Sequence, residues 1–153
     1  MIAQERRDFD AAASWYQKSL EIKERQGDDY GAAITYHQLG MIAEERQDFD
    51  AAESWYEKSL EIAERQGDEH GAALTYGQLG IIAGLQGDFL ESGRWLLKCV
   101  TIFAGVNDPH GAQRNARNFL ITLQNASEED QATLRKMWEE AGLPPLSEAE
   151  EAA

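Results

Sequence analysis

The residue types that most often carry out chemistry are few in this sequence. Its histidines are His37, His70 and His110, and no carboxylate or cysteine stands at a metal-ligand spacing from them. Cys99 is the only cysteine, which excludes an internal disulfide and a cysteine-only metal site. We therefore interpret the histidines as solvated residues rather than metal ligands, and two of them, His70 and His110, lie at the turns that start a repeat. We expect Cys99 to fill a small core position rather than to act as a reactive thiol.

Motifs typical of catalysis are equally scarce. The chain has no nucleophile elbow, no phosphate-binding glycine loop, no His-Glu-x-x-His helix and no paired Cys-x-x-Cys. The runs 27–29 and 67–69, each a glycine followed by two acidic residues, lack the alternating oxygen ligands of an EF-hand calcium loop. Helix capping explains their aspartates better. The sequence predicts a protein that is not an enzyme, with no catalytic residue, no metal and no cofactor.

Composition narrows the class of partner. The 153 residues carry a formal net charge of −14 and are 42% hydrophobic, which suits one domain or a short repeat array. Such an acidic surface disfavours nucleic acid and anionic membranes as partners. Residues 1–9 contain no signal-peptide core, and no stretch approaches the roughly 20 apolar residues that span a bilayer. These features favour a cytoplasmic protein whose partner is another protein or a peptide.

An internal repeat decides the architecture. Residues 1–40 align without gaps to residues 41–80 and differ at only nine positions, and residues 81–120 keep the same frame. Such near-identity is compatible with a recent duplication or with consensus-like engineering. Each repeat holds two segments with helical periodicity, so the sequence predicts a stack of helix hairpins.

Helix boundaries recur at the same positions of every repeat. A short carboxylate ahead of an apolar run can cap the free N–H groups of a helix's first turn. Gly27 and Gly67 can adopt the positive φ that ends a helix. The predicted caps of the second helices are Asp8, Asp48 and Asp88, and those of the first helices are Asp28, Asp68 and Asp108.

Each predicted helix has one apolar face. A lone hairpin cannot bury the faces of both its helices, so neighbouring hairpins must stack. Trp55 and Ile62 lie beside the face of their helix, and we expect them to pack on the next hairpin. In repeat two the faces comprise Tyr36, Leu39, Gly40 and Ala43 in the first helix, and Phe49, Ala52, Tyr56, Ser59, Leu60 and Ala63 in the second.

These faces, with Gln47-Asp48-Phe49 between them, resemble the signature of the tetratricopeptide repeat (TPR) family. The 40-residue repeat is similar to the arrays of kinesin light chains, Pins-type polarity scaffolds and bacterial signalling ATPases of the STAND class. The resemblance covers about residues 1–126 and implies an all-α fold, a right-handed α-solenoid of antiparallel helix hairpins. Family members usually carry glycine before the Asp-aromatic pair; Gly87 conforms, whereas Arg7 and Gln47 depart from the pattern.

The repeat frame divides the chain into segments. Met1 aligns with Met41 in the middle of a first helix, so the sequence begins inside a repeat and suggests a longer array. The incompletely covered face of the first repeat, at Phe9, Ala12 and Tyr16, predicts self-association. The predicted segments are a truncated first repeat (1–27), a second (28–67), a third (68–107), the first helix of a fourth (108–126), a C-terminal capping helix (127–142) and a disordered acidic tail (143–153).

In TPR proteins the first helices line a concave groove, so the resemblance implies which residues contact a peptide. Met41, Ile81 and Ile121 would form an apolar floor, with carboxylates toward one end and two arginines toward the other. The alternative is that these charges only solvate the helix faces. The predicted groove residues are Glu5, Ile34, His37, Gln38, Met41, Glu44, Glu45, Leu74, Gln78, Ile81, Leu85, Arg114, Arg117, Ile121 and Gln124.

Two functions follow from this reasoning. The leading one is a protein-protein interaction scaffold that binds a peptide or a partner helix in its groove. The alternative is a structural, sensor or oligomerisation arm of a larger signalling protein of the STAND-ATPase type, suggested by the start within a repeat.

Overall fold

Residues 3–146 are described in the computed structural model, with side chains from Asp8 onward. All regular structure in this part of the chain is α-helical, and turns of two or three residues separate the helices. The predicted all-α class of helix hairpins is confirmed. The helices are α1 (Ala3–Gln26), α2 (Asp29–Glu45), α3 (Phe49–Gln66), α4 (Glu69–Leu85), α5 (Phe89–Gly105), α6 (Pro109–Asn125) and α7 (Glu128–Glu140).

The chain divides into two compact units, Met1–Asp68 and Glu69–Ala153. In the first unit, α2 packs against both α1 and α3. In the second unit, α5 packs against α4, α6 and α7. Among the residues described, no helix combines the length and the apolar character needed to cross a membrane.

Aspartate side chains cap the start of four helices, as the sequence predicts. Asp28 and Asp108 each accept a hydrogen bond at 2.9 Å from the backbone N–H three residues further on. Asp48 and Asp88 make the equivalent bonds at 3.3 and 3.2 Å. Each bond satisfies one of the N–H groups that have no intrahelical partner at the start of a helix.

Each of the five turns between α1 and α6 places one residue in the left-handed region. Gly27 and Gly67 have φ of 67° and 69°, as predicted for residues that end a helix, and Gly87 has φ of 83°. Gln47 and Asn107 adopt φ of 61° and 58° at the corresponding places in their turns. A side chain in this region costs roughly 1–2 kcal/mol. The turn after α2 therefore forms without a glycine, but under strain.

The predicted cap at Asp8 is wrong. Helix α1 runs without a break from Ala3 to Gln26, so Asp8 lies inside a helix. At the equivalent place in the next repeat, the packing of α2 on α3 offsets the strain at Gln47. Helix α1 continues through residues 3–7, and no turn forms at Asp8.

The core of the first unit depends on a close approach between α2 and α3. Tyr56 of α3 is fully buried, and its ring lies against the backbone of Gly40 in α2. A β-carbon at Gly40 would lie 2.6 Å from Tyr56 Cε1, which is too close for contact. Ala52 and Ser59 are buried on the same face of α3, one turn to either side of Tyr56.

Trp55 and Ile62 contact the other helix of their own hairpin. The Trp55 ring stacks on Tyr36 with ring centroids 5.8 Å apart. Ile62 joins Leu39 of α2 in a buried apolar cluster. The expectation that they pack on the next hairpin missed these contacts, because residue spacing identifies an apolar face but not the helix that covers it.

In the second unit, α7 packs against the α5–α6 pair. Ser127 caps it, its hydroxyl accepting a hydrogen bond from the Asp130 N–H at 3.2 Å. Leu134 is fully buried against Gly93 of α5. The Trp138 ring lies against Phe119 of α6 with ring centroids 4.9 Å apart. These contacts extend the apolar core from α5 and α6 to α7.

Residues 143–146 pack onto α7, contrary to the disorder expected from residue 143 onward. Trp138 Nε1 donates a hydrogen bond to the Pro144 carbonyl at 2.8 Å, and Leu146 is buried in the same core. Pro144 stops the helix, and its carbonyl also supplies the acceptor that the buried indole N–H of Trp138 needs. The rest of the predicted tail, residues 147–153, lies outside the described residues.

Candidate functional site

The predicted groove residues of the first unit lie on one face of α2. Ile34 and Met41 are seven residues apart, and their side chains are 45% and 37% exposed. Gln38 between them is half-buried, and Glu45 toward the end of the helix is exposed. Helix α2 thus presents apolar side chains with a carboxylate at its C-terminal end. Glu5, also predicted, precedes the first described side chain.

His37 and Glu44 of this face interact with the buried Tyr56. The Tyr56 hydroxyl donates a hydrogen bond to Glu44 Oε2 at 2.8 Å, and the His37 ring centroid lies 5.1 Å from that of Tyr56. Burial lowers the pKa of His37. Burial also raises the pKa of Glu44, although the Tyr56 hydrogen bond opposes that shift. These two side chains therefore help hold the hairpin together and are less available to a ligand than the sequence suggests.

In the second unit, three predicted groove residues meet at a cleft between α4, α5 and α6. Ile81 and Leu85 lie one turn apart on α4, and Ile121 faces them from α6. The cleft has a volume of about 220 Å³. Leu85 and Ile121 are 62% and 57% exposed. The complete lining comprises Ile81, Gly84, Leu85, Phe89, Ser92, Leu96, Asn118, Ile121, Thr122 and Asn125.

The lining of the cleft combines apolar and neutral polar side chains. The hydroxyls of Ser92 and Thr122 are 3.0 Å apart in a buried hydrogen bond. A β-carbon at Gly84 would lie 3.2 Å from Ser92 Oγ, so a larger residue at that position would crowd this pair. Asn118 and Asn125 add amide groups, and Asn125 Nδ2 donates to its own helix at 2.7 Å. The lining contains no charged side chain.

Sequence reasoning missed the residues that α5 contributes. Phe89, Ser92 and Leu96 belong to a second helix, whereas the family pattern assigns the groove to first helices. One signal was present: Ser92 replaces Ala52 of the preceding repeat, and a hydroxyl in a small buried slot needs a hydrogen-bond partner. The remaining groove residues predicted in this unit do not line the cleft; they are Leu74, Gln78, Arg114, Arg117 and Gln124.

Cys99 and the histidines, the residue types in this sequence that could carry out chemistry, do not line the cleft. Cys99 is fully buried, and burial raises its pKa to about 12 despite the charge of Arg114. Its sulfur packs at a close approach to α4, 3.3 Å from where a β-carbon at Gly77 would stand. His70 is exposed, and its ring makes a T-shaped contact with that of Phe103 at a centroid distance of 5.7 Å. Within residues 3–146, no three metal-ligand residues are grouped to hold an ion.

An arrangement that sequence reasoning did not predict occurs in each unit. Lys58 Nζ lies 5.0 Å from the centroid of the Trp55 ring and 5.7 Å from that of Tyr36. The lysine charge thus interacts with both stacked rings and adds a cation–π contribution to the packing of α3 on α2. We call this arrangement the Tyr–Trp–Lys cluster. The second unit repeats it with Tyr76, Trp95 and Lys98.

Comparison with known families identifies the repeats. A sequence profile for the tetratricopeptide repeat matches residues 1–65 and 31–104, which together span more than half of the chain. The chain belongs to the tetratricopeptide repeat family. Repeats of this family generally serve as scaffolds for protein interaction, and members are typically not enzymes. The family prediction is confirmed, whereas the closer likeness to the 40-residue variety stays a prediction.

Among solved structures, the TPR chain is similar to BtubC (BKLC) from P. vanneervenii. The TM-score is 0.73 at 20% sequence identity, and the match covers 88% of this chain and 56% of BtubC. The TPR chain therefore spans little more than half of that protein. At this identity the likeness shows the fold alone. None of the curated proteins matches the TPR chain.

Proposed function

We propose that this TPR protein is an interaction scaffold whose anchor site is the cleft between α4, α5 and α6. The observation that carries the proposal is the exposure of Leu85 and Ile121, at 62% and 57%, beside that opening. Exposed apolar groups beside a concave site are typical of protein-binding surfaces. A partner that covers them gains about 25 cal/mol for each Å² of apolar surface removed from water.

The size and lining of the cleft favour one side chain of a peptide. Its volume of about 220 Å³ is below the roughly 300–1,000 Å³ typical of small-molecule and cofactor sites. An apolar side chain can enter without leaving a charge buried and unpaired, because the lining is neutral. The amides of Asn118 and Asn125 offer hydrogen-bonding groups to the peptide backbone.

Charged residues of α6 would give the bound peptide a direction. Arg114, Arg117 and Ile121 are spaced three and four residues apart and share one face of the helix. Both arginines are exposed. An acidic residue a few positions from the apolar anchor would pair with them. Exposed ion pairs contribute about 0–1 kcal/mol each, so the arginines set orientation while apolar contact supplies most of the affinity.

The exposed face of α2 is proposed as a further contact surface. Ile34 and Met41 offer apolar groups, and Glu45 offers a carboxylate to basic residues of the partner. Changing Met41 and Ile81 to Asp together is expected to abolish partner capture while circular dichroism stays unchanged. Unchanged capture by that double variant would count against both surfaces.

A peptide-display selection tests the anchor site directly. Peptides enriched on the wild-type chain should share an apolar residue with an acidic neighbour, and Ile121→Asp should abolish their binding. Val106→Asp is the matched control, because Val106 is also an exposed apolar residue, at 39%, and does not line the cleft. Peptides retained equally by Ile121→Asp and wild type would disprove the cleft as anchor.

A second candidate is the structural or oligomerisation arm of a larger signalling protein. The exposed Trp15 and Ile22 of α1, at 72% and 51%, favour a role in assembly. Self-association would appear as a mass that rises with concentration in light scattering and falls back to the monomer in Trp15→Ala. A constant monomer mass across the micromolar range would exclude self-assembly.

A further inference from the structure

The cleft between α4, α5 and α6 stands where the preceding repeat holds a hydrogen-bonded pair. In the α2–α3 hairpin, the Tyr56 hydroxyl donates to Glu44 Oε2 at 2.8 Å, and the tyrosine ring packs on Gly40. Forty residues later, Gly84 takes the place of the glutamate and Leu96 that of the tyrosine. Both of these smaller residues line the cleft. Part of the cleft is therefore space that a carboxylate side chain and a phenol take up in the preceding repeat.

Two further replacements bring hydroxyl groups into this space. Ser92 stands at the position of Ala52, and Thr122 stands at that of Ile82. Both residues are buried, at 1% and 6% exposure, and both line the cleft. Their oxygens lie close to Gly84, where a β-carbon would be 3.2 Å from Ser92 Oγ and 3.9 Å from Thr122 Oγ1. The cleft thus lacks the carboxylate–phenol pair and carries two uncharged hydroxyls instead.

The two hydroxyls leave one hydrogen without an acceptor. Ser92 Oγ and Thr122 Oγ1 are 3.0 Å apart, and either oxygen can be the donor. Each hydroxyl has one hydrogen, so the bond between them uses only one of the two. Among the described residues, neither hydroxyl makes another hydrogen bond. The pair therefore offers an occupant of the cleft one O–H group as a donor and oxygen lone pairs as acceptors.

This arrangement distinguishes between side chains that could enter the cleft. A purely apolar side chain displaces water and offers no acceptor, so it leaves the spare O–H unsatisfied at a cost in binding energy. A carboxylate meets no opposite charge in the neutral lining. A hydroxyl at the tip of an apolar group avoids both costs, because it can accept from the spare O–H and donate to a hydroxyl oxygen. The apolar body of such a group would contact Ile81, Leu85 and Ile121.

We propose that the Ser92–Thr122 pair is the specificity determinant of the cleft and selects an anchor whose apolar body ends in an uncharged hydroxyl. The inference rests on the proposed function, because it requires that the cleft receive one side chain of a partner. A tyrosine side chain has this chemistry, and a phenylalanine side chain lacks only the hydroxyl. In the α2–α3 hairpin the chain satisfies its own phenol through Glu44, whereas in the cleft the hydroxyl pair satisfies the phenol of another molecule.

Two small probes that differ by one hydroxyl test the proposal, namely N-acetyl-tyrosinamide and N-acetyl-phenylalaninamide. Both are uncharged, so the net charge of the chain does not favour either one. Each probe is titrated into the full chain while NMR follows the methyl resonances of Ile81 and Ile121. The wild type should bind the tyrosine probe roughly three- to tenfold more tightly, which corresponds to one net hydrogen bond.

The matched variant is Ser92→Ala with Thr122→Val, which removes both hydroxyls together and so leaves no partner unsatisfied. It should fold, because the preceding repeat has alanine at the position of Ser92, and valine has nearly the shape of threonine. This variant should bind the two probes with equal affinity. A second variant, Gly84→Glu with Ser92→Ala and Leu96→Tyr, restores the residues of the preceding repeat and should bind neither probe. Circular dichroism checks the fold of both variants.

The outcomes separate this inference from the proposed function. Equal affinity of the wild type for the two probes would overturn the inference and leave the cleft standing as an anchor site. A preference for the tyrosine probe that persists in the Ser92→Ala, Thr122→Val variant would also overturn it, because the selection would then come from other groups. Failure of the wild type to bind either probe would contradict the anchor site as well as its specificity.

Discussion

Gly80 of α4 lies directly against Leu96 of α5. A β-carbon at Gly80 would stand 2.7 Å from Leu96 Cγ and 3.2 Å from the backbone oxygen of Ser92. The leucine could rotate away, but the backbone oxygen cannot move without shifting α5. The approach of these two helices therefore depends on the absence of a side chain at one position.

Replacing Gly80 by alanine should destabilise the second unit. We expect a loss of about 1–3 kcal/mol in the free energy of unfolding, which is typical of overpacking. The matched control is Gly105→Ala, where a β-carbon meets nothing within 4 Å. That change should be neutral or stabilise the chain by up to about 1 kcal/mol through helix propensity. Urea unfolding followed by circular dichroism measures both, and equal effects would contradict the packing argument.

The two repeats that differ least offer a test of helix capping. Asp48→Ala removes the side chain that accepts the Ala51 N–H, and it should cost about 1 kcal/mol of stability. Asp8→Ala changes the equivalent aspartate inside α1, where it caps no helix, and should change stability by less than about 0.5 kcal/mol. A loss at Asp8 as large as that at Asp48 would show that α1 is interrupted in solution.

His37 should make the stability of the chain depend on pH. Its pKa is below the ordinary value of 6.5 because burial disfavours the charged ring. As the pH falls through about 6.5, the unfolded chain therefore binds a proton that the folded chain does not, and stability is lost until the folded pKa is reached. The variant His37→Gln has no such group. The stability of the wild type relative to that variant should decrease between about pH 7.5 and pH 5.5, and a constant difference in urea unfolding would contradict the shift.

Cys99 should be unreactive until the chain unfolds. Its sulfur is fully buried, and its raised pKa keeps it in the thiol form, which is a poor nucleophile. A disulfide reagent should label it slowly in buffer and quickly in concentrated urea. An exposed control is Ser54→Cys in a Cys99→Ser background, which should be labelled quickly in both conditions. Fast labelling of native Cys99 would show that the core of the second unit opens readily.

Much of the fold could be predicted because its signals are local. The carboxylate of Asp28 or Asp48 caps a helix that starts one residue later, and Gly27 or Gly67 ends one, so each inference needs only a few neighbouring residues. Asp8 has the same local sequence yet lies within a helix. Whether Asp8 starts a helix depends on whether the residues before it form a separate helix that can fold back on α1. The residues around Asp8 do not determine that.

The candidate site was only partly predictable for a related reason. Ile81, Leu85 and Ile121 follow from helical spacing and the family pattern, and they meet at the cleft. Phe89 and Asn118 line it because of how α5 and α6 cross, and no residue spacing specifies a crossing. Likewise, His37 and Glu44 were predicted to face a ligand, but their contacts with Tyr56 emerge only when α3 is in place.

The left-handed backbone at Gln47 and Asn107 limits the stability of the chain. Both positions carry a side chain at a positive φ that glycine adopts without strain, and asparagine adopts this backbone conformation more readily than glutamine does. Replacing either residue with glycine relieves the backbone strain and changes only a turn between two helices. The protein can therefore be stabilised by substitutions in these turns alone, which leaves the proposed binding surfaces unaltered.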